Sequence, residues 1–113
     1  MIKLLINGIK EAFGMADTGR DIVEYLQEFH KEERTAIKGR ELCVLFNLTE
    51  KQLRNVVSGL RQDGEAVCSS SYGYWYSTDP EDIEKTVRRL EGQVKNMNIS
   101  IAGLKKVLMG GVK

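Results

Sequence analysis

A chain of 113 residues in which 42% of side chains are hydrophobic can bury one small core, and its composition excludes a disordered chain. A formal net charge of +1 excludes attraction to polyanions by the chain as a whole, so such a role has to come from local clustering. Two cysteines without C-x-x-C spacing and a single histidine exclude a disulfide scaffold and a zinc site.

The opening stretch MIKLLINGIK sets Ile2, Leu5, Ile6, Ile9 and Phe13 at helical spacing, although Gly8 interrupts it and MIKLLI suits a strand equally well. It is too short and interrupted to span a membrane and has no signal-peptide cleavage site, so a soluble, cytoplasmic chain with reduced thiols is expected. Residues 1–19 are read as an N-terminal arm ending in a turn at Asp17-Thr18-Gly19. The run RDIVEYLQEFHKEE then predicts a helix with Ile22, Tyr25, Leu26 and Phe29 on its buried face and His30 exposed in a charged stretch.

RTAIK, residues 34–38, is short and tolerant of β structure, and Gly39 starts a second helix, GRELCVLF, whose Leu42, Leu45 and Phe46 point to the core. Asn47, one of the few non-glycine residues that accept a left-handed backbone, ends it. Thr49 and Gln52 form the T-x-x-Q pattern of a capping box and open a third helix that runs to about Gln62 and stops at Asp63-Gly64. Helix, tight turn and helix make a helix-turn-helix. On the third helix Leu53, Val56, Val57 and Leu60 face inward. Lys51, Asn55, Ser58 and Gln62 project from the opposite side, with the hydrogen-bonding capacity that base edges in a major groove require. Residues 34–62 hold six Lys/Arg against Glu41 and Glu50, a net charge of +4, whereas residues 1–33 sum to −3 and residues 63–113 to zero.

In EAVCSSSYGYWYS, Ala66–Cys68 and Tyr74–Tyr76 are β-prone runs around a Ser-rich tip, a hairpin signature. Alternation turns Tyr74 and Tyr76 to one face, where they are expected to pack, and Trp75 to the other. Tyr72 and the tip serines are candidate phosphate donors. Cys43 and Cys68 are read as small buried apolar residues with no disulfide between them.

From Asp79-Pro80, an N-cap and first-turn pair, the apolar positions Ile83, Val87, Leu90, Val94, Met97, Ile101, Leu104 and Leu108 alternate in spacings of four and three. That heptad seam, about 38 Å from Ile83 to Leu108, predicts a coiled-coil-like helix pairing with a second copy or folding back on its own domain or on the N-terminal arm. Pairing is favoured, because a narrow stripe suits a helical partner better than a globular core. Gly92, Gly103 and sparse flanking charge weaken it.

From about Arg20 to Ser77 this order of elements resembles winged helix-turn-helix DNA-binding domains, in particular those at the N-terminus of biotin-repressor and DeoR-like regulators. The resemblance is carried by GRELCVLFNLTEKQLRNVVSGLRQDGEAVCSSSYGYW: Cys43 falls at the family's small second-helix residue, Asn47 at its usual turn glycine, Leu53, Val57 and Leu60 at buried third-helix positions, and Gly64 before the wing. The GYW ending followed by an acidic helix is also similar to small regulators of bacteriophages and mobile elements of Gram-positive bacteria. The expected fold is mainly α with a small β-hairpin: an arm (1–19), a winged helix-turn-helix (20–78) and a long C-terminal amphipathic helix (79–113).

The resemblance implies a double-stranded DNA partner, contacted by Arg40, Thr49, Lys51, Gln52, Arg54, Asn55, Ser58 and Tyr72, with helix 49–62 in the major groove. Glu50 beside Lys51 departs from relatives that carry several basic residues there, so a homodimer held through Val87, Leu90, Val94, Met97, Ile101, Leu104 and Leu108 is expected to compensate. No catalytic residue, metal, cofactor or small-molecule effector is expected, since nucleotide-binding and nucleophile motifs are lacking. The alternative is a non-enzymatic winged-helix adaptor that holds a protein partner.

Overall fold

The structure, a computed structural model, describes residues 15–111. The apolar spacing read in Ile2 to Phe13 lies outside them. The described residues are mainly helical, with helices α1 (Met15–Phe29), α2 (Gly39–Phe46), α3 (Glu50–Gln62) and α4 (Pro80–Lys106), and an antiparallel hairpin of β1 (Val67–Ser70) and β2 (Gly73–Tyr76) between α3 and α4.

Helix α1 begins earlier than its sequence suggests. Asp17-Thr18-Gly19, expected to turn, lies inside it, because α1 and α3 cross there: a Cβ on Gly19 would sit 3.1 Å from Leu60 Cδ2. A tertiary contact thus overrides a local turn signal. Ile22, Val23 and Leu26 are buried, while Phe29, expected in the core, is 58% exposed because the helix ends there. His30, expected on an exposed helix face, is instead half-buried just beyond α1. Its Nδ1 donates to the Thr35 carbonyl and its own carbonyl accepts from Tyr76 N–H, so it ties the α1–α2 connection to the hairpin.

That connection passes through a short 3-10 turn, Glu33–Thr35, and then Ile37 pairs with Tyr74 through two backbone bonds of 2.9 and 2.8 Å. The β-tolerant RTAIK segment therefore lays a single residue beside the free edge of β2. Within α2, Leu42 is buried and Phe46 is packed on the core, but Leu45, also expected there, is 54% exposed. It sits too far round the short helix from Leu42. Asn47 ends α2 with φ 54° and ψ 53°.

The capping box at α3 is complete. Thr49 Oγ1 accepts from Gln52 N–H at 3.1 Å, and Gln52 Oε1 accepts from Thr49 N–H at 2.9 Å. Leu53, Val56 and Val57 are buried and Leu60 is packed at the edge of the core, as the 3.6-residue period requires. Gly64, with φ 90°, follows the end of α3.

The hairpin pairs Val67 with Tyr76, Cys68 with Trp75, Ser69 with Tyr74 and Ser70 with Gly73, leaving Ser71-Tyr72 as the tip. Gly73 is obligatory on two grounds: φ is 128°, and a Cβ there would fall 2.2 Å from the Ile37 carbonyl oxygen. Val67, Tyr74 and Tyr76 pack on the three-helix core, as expected of the two tyrosines. Trp75 and Cys68, on the other face, are almost wholly buried and lie beneath the start of α4. Trp75 Nε1 donates to Asp82 Oδ2 at 3.2 Å, and Thr86 Oγ1 accepts from Ser69 N–H, which closes the outer edge of β1.

Helix α4 starts as its sequence predicts, with Asp79 Oδ1 accepting from Glu81 N–H and Pro80 in the first turn. Its first two turns are fastened across the hairpin, aided by Lys85 to Glu33 at 3.0 Å. From Glu91 to Gly110 every residue is exposed. The heptad seam is regular only as far as Leu104: the chain widens into a π-turn at Val107–Gly111, with Gly110 at φ 84°, so Leu108, expected to continue the seam, falls out of register.

Candidate nucleic-acid interface

The outward side of α3 carries Lys51, Arg54, Asn55, Ser58 and Gln62, all exposed, as the helical period places them. Arg54 and Arg61 stand seven residues apart, two turns along one side. They turn toward the hairpin rather than straight outward. There a groove of about 1140 Å³ opens between the N-terminus of α2, the length of α3, the hairpin tip and the third and fourth turns of α4.

Five basic side chains line this groove, Lys38, Arg40, Arg54, Arg61 and Arg89, against two carboxylates, Glu41 and Glu50. None of the five makes an ion pair among the described residues. Lys38 Nζ donates instead to the Ser71 carbonyl at 2.8 Å and so holds the hairpin tip over the groove. The N-terminus of α2 opens on the same space without a side-chain cap, adding the positive end of a helix dipole.

Arg61 is the most enclosed of these cations. Its Nε donates to the Val67 carbonyl at 2.8 Å and its Nη2 to Ser69 Oγ at 2.9 Å, both neutral acceptors. Burial, with Arg89 nearby, pushes its pKa below the usual arginine range, but a guanidinium remains charged at any working pH. The hairpin is thereby bolted to α3 by a cation that has no counter-ion among the described residues.

The residues expected to touch DNA divide among several places. Arg40, Arg54 and Ser58 line the basic groove, and Ser58 accepts from Gln62 Nε2 at 3.1 Å. Lys51 is exposed on the outer side of α3. Asn55, beside Lys51 on the exposed side, borders a second groove of about 680 Å³ shared with α1, where Glu24, Asp63 and Glu65 outnumber Arg20. Thr49 and Gln52 are engaged with each other in the capping box. Tyr72 is exposed at the hairpin tip, its backbone N–H bonded to Ser70 Oγ.

Sequence reasoning missed Lys38, Arg61 and Arg89. The seven-residue spacing of Arg54 and Arg61 was an available signal for the second. Nothing local signals Arg89, which arrives through the docking of α4. Of the residues expected to hold a dimer, Val87, Val94, Met97, Ile101, Leu104 and Leu108 are exposed, while Leu90 is half-buried at the margin of the groove.

Both thiols are free. Burial pushes each pKa upward, and Cys43, expected to be buried, is only half so. Among the described residues no cluster of His, Cys, Asp or Glu is arranged to hold a metal, and no helix is long and apolar enough to cross a membrane. Comparison with protein-family models, curated proteins and solved structures yields no match to the chain.

Proposed function

We propose that this chain is a sequence-specific double-stranded DNA-binding protein of the winged helix-turn-helix type, acting as a homodimer in the cytoplasm. α3 enters the major groove and the hairpin serves as the wing. The observation that carries this reading is the row of cations, without ion pairs among the described residues, beside the exposed polar face of a capped helix that follows a left-handed turn. The role is regulatory rather than enzymatic, in the transcription or replication of a phage or mobile element.

Helix α4 supports the dimer, because its apolar stripe beyond Glu91 has no cover among the described residues. Paired α4 helices present two copies of α3 to half-sites about 34 Å apart on one face of the duplex. Selection of binding sites from random duplex DNA tests the whole reading. A single enriched motif is expected, with binding of all duplexes weakened by Arg54→Ala and discrimination between them reduced by Lys51→Ala. Recovery of no enriched sequence would leave a protein-interaction role, which exposed Val44 and Leu45 on α2 favour.

A further inference from the structure

Arg61 and Arg89 come from elements 28 positions apart in the chain, yet they border one end of the same groove. Two like charges on one groove, one of them half-buried, repel each other, and an anion held between them would relieve that repulsion. The described residues supply no such anion: Arg61 bonds only neutral oxygens, and Arg88, the neighbour of Arg89, takes Glu84 while Arg89 takes no carboxylate. Arg61 Nη1 is likewise uncommitted.

We infer that Arg61 and Arg89 form a phosphate clamp, and that the base of α4 is thereby part of the DNA-binding surface. The inference rests on the DNA-binding reading above and extends it to a helix whose sequence signals only dimerisation. A guanidinium fork pairs with two oxygens of a tetrahedral phosphate, and the Ser69 hydroxyl and the Gln93 amide border the same space with further donors. At the other end of the groove stand Lys38, Arg40 and Arg54. A ligand that satisfies both ends has to be an extended polyanion, and a nucleic-acid strand running beside α3 has successive phosphates to offer.

The geometry also links recognition to assembly. Thr86 fixes the height of α4 above the hairpin through Ser69, and Ser69 in turn holds Arg61. A phosphate gripped between Arg61 and Arg89 would thus hold α4 at one angle to the duplex, and that angle sets the distance between half-sites.

The test uses the full chain and the Arg89→Gln variant, because Arg89 is exposed and unpaired and its loss leaves the fold intact, which thermal melting checks. Binding to a selected and a scrambled half-site duplex is measured at several salt concentrations, with Arg54→Gln as the control for the DNA-binding reading. Arg89→Gln is expected to weaken both duplexes alike and to reduce the slope of log K against log[salt] by about 0.9 per half-site. An unchanged slope in Arg89→Gln beside a reduced one in Arg54→Gln overturns the clamp and leaves the DNA-binding reading standing.

If the wild type binds no duplex, that reading falls, and titration with inorganic phosphate followed by the Arg61 Nε–H resonance decides the clamp separately. A shift that Arg89→Gln abolishes assigns the site to a free phosphate ligand. No Arg89-dependent shift ends the proposal.

Discussion

Helices α3 and α4 are both amphipathic, and in sequence their apolar positions recur with nearly the same period. In the folded chain their fates differ. Leu53 and Val57 of α3 are 2% exposed, whereas Val94, Met97 and Leu104 of α4 are 57%, 63% and 66% exposed. The difference lies in what surrounds each helix. α3 is enclosed by α1, α2 and the hairpin, so its stripe is broad and meets several partners. Among the described residues α4 is bonded to the body through Asp82, Lys85 and Thr86, with Leu90 half-buried at the groove margin, and its stripe continues past these contacts. A periodic pattern specifies that a face will be buried, not in what.

Matched truncations sharpen the contrast. Leu53→Ala leaves a cavity in the three-helix core and is expected to cost about 2–5 kcal/mol at any protein concentration. Leu104→Ala removes the same atoms from an unpaired stripe and should leave a dilute monomer unchanged, lowering the midpoint only where the protein is dimeric. Urea unfolding of both variants over a wide concentration range, with mass measurement in solution, checks this. An equal, concentration-independent loss in Leu104→Ala would break the comparison, since the stripe would then be covered within one chain.

Next in size is Gly73→Ala. The left-handed backbone alone costs roughly 1–3 kcal/mol for a residue with a side chain, and the overlap with the Ile37 carbonyl adds to it. Because Gly73 seats the hairpin on both sides, unfolding by denaturant should start earlier and Trp75 should lose its buried fluorescence at lower denaturant. Thr49→Ala comes third, at about 0.5–2 kcal/mol, since it unmakes one half of the capping box and leaves the Gln52 N–H to water. Its effect belongs to α3, so the thermal midpoint should fall while the mass in solution stays that of the wild type.

What the sequence disclosed was mostly short in range. Asn47, the Thr49–Gln52 pair, Gly64 and Asp79-Pro80 act within four or five residues, and each stands where its chemistry required. The apolar period of α3 was equally legible, because helix geometry alone carries it. What escaped was set by tertiary contacts. Gly19 reads as a turn residue until Leu60 is laid against it, and His30 reads as solvent-facing until the backbone of Tyr76 reaches its carbonyl. The candidate site divides in the same way. Arg54 and Ser58 follow from the wheel of α3, but the wheel alone did not place Asn55 in a groove with Glu24 of α1, Asp63 and Glu65, and no local pattern brings Arg89 and Arg61 to one groove.

The smallest expected effect concerns an ion pair that joins α4 to the α1–α2 connection, Lys85 to Glu33, and it tests how firmly α4 is seated. The hydrogen bond from Lys85 holds the Glu33 carboxyl below its ordinary pKa, with Ser70 contributing, and the same bond raises the pKa of Lys85. A carboxylate with a depressed folded pKa stabilises above its unfolded value and loses that contribution as pH falls through the folded one. The lysine, raised, contributes below its unfolded pKa and loses the contribution as pH rises through its folded value. The pair therefore strengthens the seating of α4 across the neutral range and fades at both extremes, within the limits that solvent exposure sets on such bridges. Glu33→Gln should flatten the stability profile on its acid side while leaving the difference between Leu53→Ala and Leu104→Ala untouched. The measurement is the urea midpoint against pH at low and high salt. A variant whose acid limb still falls as steeply as the wild type's would show that Glu33 does not contribute to the seating of α4, leaving Asp82 and Thr86 to hold it alone.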